Sequence, residues 1–280
     1  MSETEIKQSV RNFYDQVGWQ KVADDIYQNA RYEDLRPVSH EYIHKCHMRV
    51  NRYLCHQGKY ILDAGSGPIQ YEEYLSYSEG YQYRVCLDIS LLALQEARKR
   101  IGGHGLFVVG DVAHLPFSSN VFSNAVSLHT IHHLPKSDYL KAFHELRRVL
   151  KNHASAVVVN GWDSSPLMNK AQLPMRIMER LFVKTSKNPH ADSTAVNPSM
   201  QKPTGTFVNK MDADELEHLL GEDFPIHIMV WRSVSVRFLR AMIHPFLLGR
   251  FWLKILYLNE ELFPHFFGKK GQYPLIVFSK

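Results

Sequence analysis

Three carboxylates that follow apolar stretches could together bind a polar ligand. Asp63 lies in ILDAGSGP, Asp88 in CLDIS and Asp111 in GDVAHLPF. A carboxylate at a strand end can accept hydrogen bonds from the two vicinal hydroxyls of a ribose or from the exocyclic amine of a base. Gly65 and Gly67 follow the first acid, and residues without a Cβ let a ligand approach the backbone closely. The combination predicts a nucleoside site.

A second group of side chains could move protons. His129, His132 and His133 lie in LHTIHHLP, and Asp163 lies in GWDSSP. A histidine oriented by an acid can act as a general base toward a hydroxyl group. We therefore take His132, His133 and Asp163 as catalytic candidates, with turn capping as the competing interpretation of the adjacent histidines. No metal site is predicted, because no second carboxylate cluster with ligand spacing accompanies HxxHH.

The elements that must position these residues alternate between strands and helices. The strands are KYILDAG, YRVCLDIS, GLFVVGDV, VFSNAVSLHTI and SAVVVNGW, and the intervening helices are PIQYEEYLSYS, LLALQEARKRI and YLKAFHELRRVL. FPIHIMVW reads as a sixth strand, and QYPLIVFSK as a seventh that pairs with the sixth as a hairpin. This order predicts an α/β fold with a doubly wound, seven-stranded, mostly parallel sheet and helical cap insertions. The acids and histidines should meet at the carboxyl edge of that sheet.

Composition narrows the class of protein. The 280 residues carry a net charge of +5, but Lys and Arg are mixed with acids over most of the chain, which does not favour a nucleic-acid partner. Cys46, Cys55 and Cys86 show no CxxC spacing, so neither a disulfide framework nor a zinc knuckle is indicated. The first thirty residues lack a signal-peptide pattern, and no apolar run approaches about 20 residues. We expect a cytoplasmic protein.

The motifs ILDAGSGP, CLDIS, GDVAHLPFSSNVFSNAVS, LHTIHHLP and ELRRVLK resemble those of class I S-adenosylmethionine-dependent methyltransferases, in their small-molecule branch. The resemblance covers roughly residues 55–162 and implies S-adenosyl-L-methionine as the cofactor. It also implies a role for each of the following residues: Asp63, Gly65 and Gly67 at the methionine end, Asp88 and Ile89 at the ribose, Asp111 and Val112 at the adenine, His129 near the sulfonium, and Tyr14 on a helix that closes over the cofactor.

Two positions depart from the family pattern. Ile69 stands where a third glycine is common, and Phe122-Ser123 opens the fourth strand in place of Phe-Asp. A nicotinamide-binding Rossmann enzyme is the rival α/β interpretation. It is disfavoured because Gln70 occupies the place of the last glycine in GxGxxG.

The resemblance suggests three parts of the chain. Residues 1–54 would supply helices that close over the cofactor, and residues 55–162 would form the cofactor-binding core. Residues 163–280 would complete the sheet, with cap insertions at 163–207 and 233–268 that form the acceptor pocket. The sequence predicts a helix from Leu173 to Lys184, and residues 188–206 (NPHADSTAVNPSMQKPTGT) have the composition of a mobile loop.

The expected reaction is methyl transfer to a small molecule, with O-methylation of a sugar or natural-product hydroxyl favoured. The Asn-Pro-Pro-aromatic turn common in methylation of nucleic-acid amines is missing from HTIHHLP. Two alternatives stay open: a membrane-surface methyltransferase acting on a lipid or quinone, and a non-catalytic S-adenosylmethionine-binding protein. The basic and apolar segment 236–263 is expected to pack on the cap or on a second subunit in a homodimer, with a membrane surface as the less favoured partner.

Overall fold

The computed structural model describes residues 2–19, 21–23, 26–27, 33–183, 207–209 and 211–280. Within these ranges, a seven-stranded sheet is accompanied by a short antiparallel hairpin of Lys21–Ala23 and Ile26–Tyr27. The strands of the sheet are β1 (Gly58–Ala64), β2 (Tyr81–Asp88), β3 (Gly105–Val109), β4 (Phe122–Leu128), β5 (Leu150–Val159), β6 (His227–Arg232) and β7 (Tyr273–Ser279). They lie in the order β3-β2-β1-β4-β5-β7-β6. The predicted doubly wound, mostly parallel α/β sheet is confirmed.

Strand β7 runs antiparallel to both of its neighbours, β5 and β6. The predicted pairing of the last strand with the sixth is therefore confirmed, and the last strand also separates β6 from β5. Because β7 is reversed, its first residue, Tyr273, lies beside Arg232 at the end of β6. Residues from the start of β7 thus reach the carboxyl edge of the sheet, where the predicted site lies.

Nine helices accompany the sheet in the described part of the chain. They are α1 (Glu3–Phe13), α2 (His40–Met48), α3 (Leu91–Ile101), α4 (Lys136–Val149), α5 (Pro166–Val183), α6 (Ala213–Leu220), α7 (Val236–Met242), α8 (Gly249–Leu262) and α9 (Pro264–Lys270). A π-helical turn, Tyr14–Gly18, continues α1. Asp212 caps the start of α6, and its side chain accepts from the backbone N–H of Glu215. No helix in these ranges combines the length and apolar character needed to cross a membrane.

The predicted helix after β1 is instead a 3₁₀ segment, Glu72–Ser78. Residues three apart lie on one side of a 3₁₀ helix, and Tyr71, Tyr74 and Tyr77 have this spacing. Their rings contact in sequence, with centroids 5.2 Å and 5.3 Å apart. Packing of this aromatic row on the sheet decides the local structure over the helical pattern.

Apolar side chains cover both faces of the sheet. One buried cluster includes Phe143 and Leu146 of α4, and another includes Leu94 of α3 with Tyr77. A third cluster joins α2 to α5, α7 and α8 through residues such as Tyr42 and Leu253. Helix α5 contains most of the helix predicted from Leu173 to Lys184 but begins earlier, at Pro166. The predicted loop, residues 188–206, lies outside the described residues.

Candidate active site

A cavity of about 500 Å³ lies at the carboxyl edge of the sheet, a size typical of small-ligand pockets. Every residue singled out from the sequence except Asp163 lines it: Tyr14, Asp63, Gly65, Gly67, Asp88, Ile89, Asp111, Val112, His129, His132 and His133. These residues come from four successive strand ends and from the N-terminal segment. The topology therefore brings together side chains that are up to 119 residues apart in the chain.

The turn after β1 is held against the end of β2. Gly65 and Gly67 have φ angles of +78° and +53°, which favour glycine. The backbone N–H of Gly67 donates to Oδ2 of Asp88 at 2.9 Å, and that of Ser90 donates to Oδ1 at 2.9 Å. Burial raises the pKa of Asp88 to about 6, although the two hydrogen bonds act to lower it. Asp88 is thus a buried carboxylate that still has acceptor capacity toward a ligand.

Ile69, the departure from the glycine pattern, keeps the glycine-like backbone. Its φ is +55°, in the left-handed region that β-branched residues rarely adopt. The side chain is completely buried in the cluster that contains Tyr77 and Leu94. Core packing therefore imposes at Ile69 the turn conformation that a third glycine would adopt without strain.

Asp63 forms a buried ion pair. Its Oδ2 accepts from Nη2 of Arg84 at 2.5 Å and from Nε at 3.0 Å. Arg84 also donates from Nη1 to the carbonyl oxygen of Tyr74 at 2.5 Å. Asp63 and Arg84 lie on neighbouring strands, so the pair ties the end of β1 to the middle of β2 while Asp63 lines the cavity.

Asp111 forms an ion pair with Lys7, a residue that the sequence analysis did not single out. Nζ of Lys7, on α1, lies 2.5 Å from Oδ2 of Asp111 and also contacts the buried carboxylate of Asp138. The backbone N–H of Ala113 donates to Oδ1 of Asp111 at 2.9 Å. Burial works to raise the pKa of Asp111, but these hydrogen bonds and the Lys7 charge lower it overall. The ion pairs dock α1 onto the ends of β3 and α4.

The residues after α1 cover the glycine turn. The rings of Tyr14 and Trp19 stack with centroids 4.9 Å apart. The Trp19 ring lies only 3.0 Å from the position that a Cβ on Gly67 would take. Oη of Tyr14 lies 2.8 Å from Nε2 of His133. The N-terminal segment therefore covers the cavity from the side of the three strand-end acids.

The two adjacent histidines have different partners. Nδ1 of His133 lies 2.7 Å from the carbonyl oxygen of Phe207, so this nitrogen carries the hydrogen and Nε2 accepts from Tyr14. Nδ1 of His132 lies 3.3 Å from Oδ1 of Asn160, whose amide nitrogen donates to Oη of Tyr139 at 3.0 Å. Among the described residues, Nε2 of His132 has no hydrogen-bond partner.

Burial keeps these histidines neutral. It lowers the pKa of His132 well below the ordinary value, and the pKa of His133 is lowered in the same way. Burial and then the charge of Arg232 lower the pKa of His129 to about 3. At neutral pH His132 is therefore a neutral imidazole, and the tautomer that donates to Asn160 leaves Nε2 as an acceptor.

Asp163 lies away from this group. Its side chain is exposed, it is not among the residues that line the cavity, and its backbone N–H donates to the carbonyl oxygen of Met211 at 3.2 Å. The residue that orients His132 is Asn160, directly after β5 and three positions earlier in the chain. The predicted strand SAVVVNGW contains Asn160, but the strand ends at Val159, so Asn160 and not Asp163 is the first polar side chain at this strand end.

The far end of the cavity contains a buried ion pair with aromatic neighbours. Nη1 of Arg232 contacts Oε1 of Glu33, and both side chains are almost fully buried. The guanidinium lies 5.2 Å from the ring centroid of Trp231 and 4.7 Å from that of Tyr273. Burial acts to raise the pKa of Glu33, but Arg232 and then His47 lower it to about 2. Both charges are therefore present at neutral pH.

The lining of this end differs from the sequence expectation. The predicted cap stretches 163–207 and 233–268 contribute no lining side chain within the described residues. The lining comes instead from β6 and β7, from Glu33, and from two tyrosines. Tyr71 directly precedes the 3₁₀ segment and Tyr74 lies within it. The reversed β7 explains part of this difference, because it brings Tyr273 to the edge beside Arg232.

The hydrogen-bond acceptors at the strand-end part of the cavity fit an adenosine-bearing ligand. Asp88 can accept from ribose hydroxyls and Asp111 from an adenine amine, since each carboxylate has four acceptor sites and the protein uses only some of them. Ile89 and Val112 also line the cavity and offer apolar contact for a base.

Residues 62–158 match a family model described as a methyltransferase domain. Over these residues the chain has the sequence features of a methyltransferase domain. An uncharacterized protein of Methanocaldococcus jannaschii is 31% identical to the chain over 99 residues, which is 35% of this chain and 39% of that protein. The aligned region thus spans about two fifths of the relative.

Solved structures share the fold of this methyltransferase domain. Phosphoethanolamine N-methyltransferase 1 of Haemonchus contortus, in complex with phosphoethanolamine and S-adenosylhomocysteine, aligns with a TM-score of 0.59 and 11% identity. The alignment covers all of this chain and 50% of that chain. A putative methyltransferase in complex with the Haloferax volcanii Trm112 methyltransferase activator aligns with a TM-score of 0.54 and 13% identity over 96% of both chains. Similarity at this level of identity is similarity of fold.

Proposed function

We propose that the protein transfers a methyl group from S-adenosyl-L-methionine to a hydroxyl of a small-molecule acceptor, a sugar or another natural-product alcohol. One observation carries the proposal. A single cavity joins the strand-end acids Asp88 and Asp111 to His132, a neutral histidine whose Nε2 is available as a proton acceptor.

In this proposal, residues 1–54 cover the cofactor, residues 55–162 bind it, and residues 163–280 complete the sheet. The following residues contact the cofactor: Asp88 and Ile89 at the ribose, Asp111 and Val112 at the adenine, Asp63, Gly65 and Gly67 at the methionine end, His129 near the sulfonium, and Tyr14 from above. When bound, the cofactor supplies an electrophilic methyl carbon on a sulfonium.

His132 acts as the general base. In this role, Nε2 of His132 would take the proton of an acceptor hydroxyl and so raise the nucleophilicity of its oxygen toward the methyl group that a bound cofactor would supply. Asn160 accepts from Nδ1–H throughout, which fixes the productive tautomer and supports the imidazolium that forms. His133 has a positioning role, because its two nitrogens hold Tyr14 and the Phe207 carbonyl. Asp163 takes no part.

The part of the cavity around Glu33 and Arg232, which we assign to the methyl acceptor, suits a neutral molecule with several hydroxyl groups. Arg232 can donate and Glu33 can accept, and their opposite charges cancel within the site. Trp231 and Tyr273 line the same part of the cavity and add apolar contact for the C–H groups of a ring-shaped molecule. A buried pair of this kind favours an acceptor with several hydroxyls over one that brings a net charge.

The test combines binding with turnover. Calorimetry with S-adenosylhomocysteine measures cofactor binding, and transfer of labelled methyl from S-adenosylmethionine is followed with neutral sugars, phenols and amines as acceptors. We expect binding, transfer to a hydroxyl compound, and loss of most transfer in His132→Gln with unchanged cofactor affinity. Asp163→Asn is the matched control and should behave as wild type.

Other outcomes separate the alternatives. Cofactor binding without transfer to any acceptor would support a non-catalytic binding protein. Transfer to amines alone, or full activity of His132→Gln, would contradict the proposed base. A membrane-surface lipid or quinone methyltransferase is the second candidate. The exposed apolar side chains of α8, among them Phe251, Leu258 and Leu262, favour it.

A further inference from the structure

Helix α8 exposes an apolar stripe on the side away from the core. Four side chains at spacing i, i+4, i+7 and i+11 share this side of the helix. They are Phe251 (54% exposed), Ile255 (36%), Leu258 (58%) and Leu262 (62%). The opposite side is buried through Leu253 and Glu260. The sequence expectation that this segment packs on the cap therefore holds for only one side of α8.

The apolar surface continues beyond the stripe. Neighbouring large apolar side chains that are also exposed are Phe246, Leu247, Leu248, Trp252, Phe263 and Phe266. Isolated exposed apolar residues are ordinary, but a run of them on consecutive elements marks an interaction surface. We call the residues of the stripe together with these six the α8 surface.

The α8 surface is bordered by positive charge. Arg250 and Lys254 are exposed, and neither forms an ion pair with a described carboxylate. The pKa of Glu41 on α2 is lowered first by its ion-pair partner Lys45 and then by Lys254 and Arg250, so three basic groups face one acid here. The acids of α8 do not balance them, because Glu260 is buried against Arg49, and Glu261 pairs with Arg49 and Arg52. The border thus carries an excess of basic groups.

We propose that the α8 surface binds an anionic membrane surface, with α8 lying in the plane of the lipid headgroups. An apolar stripe with basic side chains along one flank suits this position, since the stripe reaches the acyl boundary while Arg250 and Lys254 meet lipid phosphates. A second copy of the chain is the less suitable occupant. Self-association would place the excess positive charges of two copies side by side, whereas an anionic bilayer complements them. The proposal goes beyond methyl transfer and does not depend on the acceptor.

Vesicle sedimentation tests the proposal on the full chain. Wild type should pellet with phosphatidylcholine–phosphatidylserine vesicles, pellet weakly with phosphatidylcholine alone, and be released by high salt. Arg250→Gln/Lys254→Gln should weaken binding to the anionic vesicles about thirtyfold, from the usual contribution of two basic residues near such a surface. Phe251→Gln/Leu258→Gln should reduce binding at least as much, by removing apolar contact.

Leu106→Gln provides the matched control. Leu106 is 41% exposed on β3, at the opposite end of the sheet order from β6, so its substitution should leave vesicle binding unchanged. Thermal unfolding checks that all variants fold, and sedimentation velocity gives their oligomeric state. The proposal is overturned by wild-type failure to bind anionic vesicles, or by wild-type binding in Phe251→Gln/Leu258→Gln. It is also overturned by a wild-type dimer that this double variant converts to monomer, which would identify a self-association surface.

Discussion

Asp88→Asn tests the placement of the ribose and the electrostatics of the site in one substitution. The change keeps the size of the side chain but removes its charge and replaces one acceptor oxygen by an amide. In the wild type, the two carboxylate oxygens accept from Gly67 and Ser90. The asparagine can keep one of these bonds and loses the other.

The magnitude follows from the pKa of Asp88. Burial raises it from 3.8 to about 6, which corresponds to about 3 kcal/mol of preference for the protonated form in the folded state. A raised folded pKa contributes stability that is complete below the unfolded pKa of about 4 and is lost as pH rises through about 6. Asn has no such dependence. The stability of the variant relative to wild type should therefore improve by roughly 2–2.5 kcal/mol between pH 4 and pH 7.

Cofactor affinity should change in the opposite sense. Loss of a charged hydrogen bond to the ribose is expected to weaken binding of S-adenosylhomocysteine at pH 7 by about 1.5–3 kcal/mol, roughly ten- to more than a hundredfold. Wild-type affinity should also fall as pH drops below about 6, because protonation removes the charged acceptor. The affinity of the variant should show no such fall from this group.

Urea unfolding across the pH range and calorimetry with S-adenosylhomocysteine provide the two measurements. Asp163→Asn, an exposed acid outside the cavity, is the matched control and should shift neither quantity by more than about 0.5 kcal/mol. A stability difference that stays flat from pH 4 to pH 7 would refute the raised pKa of Asp88. Unchanged affinity in Asp88→Asn would refute the ribose contact.

Three further substitutions test the frame of the site. Arg84→Met should lower the free energy of unfolding by about 3–5 kcal/mol in urea titrations, because Asp63 stays buried without its partner, and adding Asp63→Asn should recover part of the loss. Gly65→Ala places a Cβ 2.2 Å from the Thr130 side chain and should abolish cofactor binding in calorimetry. Gly102→Ala, also at positive φ but in open space, should lower stability in urea unfolding by about 1–3 kcal/mol of backbone strain and leave cofactor binding unchanged. Tyr14→Phe loses the bond to His133 and should weaken S-adenosylhomocysteine binding about fivefold, with faster amide exchange in Glu3–Phe13.

The sequence allowed prediction of those features that depend on the local hydrophobic pattern and on the order of the strands. Acids at the ends of three parallel strands must meet at one edge, so Asp63, Asp88 and Asp111 could be grouped from their positions alone. The histidines after β4 reach the same edge for the same reason. What each side chain contacts there depends on longer-range packing. The pairing of Asp63 with Arg84, for instance, removes from the ligand an oxygen that the sequence offers to it.

The unpredicted residues arrive by packing that has no local signature. Lys7 reaches Asp111 because α1 docks across the strand ends, over a separation of 104 residues. Arg232 and Tyr273 meet because β7 runs backwards between β5 and β6. The 3₁₀ segment replaces the predicted helix because its tyrosines pack as one row. In each case tertiary contacts override the preference of the local sequence.

The N-terminal segment that covers the cavity also forms specific contacts with the residues that line it. Lys7 pairs with Asp111, Tyr14 bonds His133, and the Trp19 ring lies over Gly67, so one short stretch of chain contacts the ends of β1 and β3 and the turn after β4. Each of these contacts engages a residue that we assign to the cofactor or to the positioning of the base. Opening α1 would therefore leave Asp111 without its cation and His133 without its donor. Cofactor binding should accordingly be coupled to the docking of α1, because both depend on the same side chains.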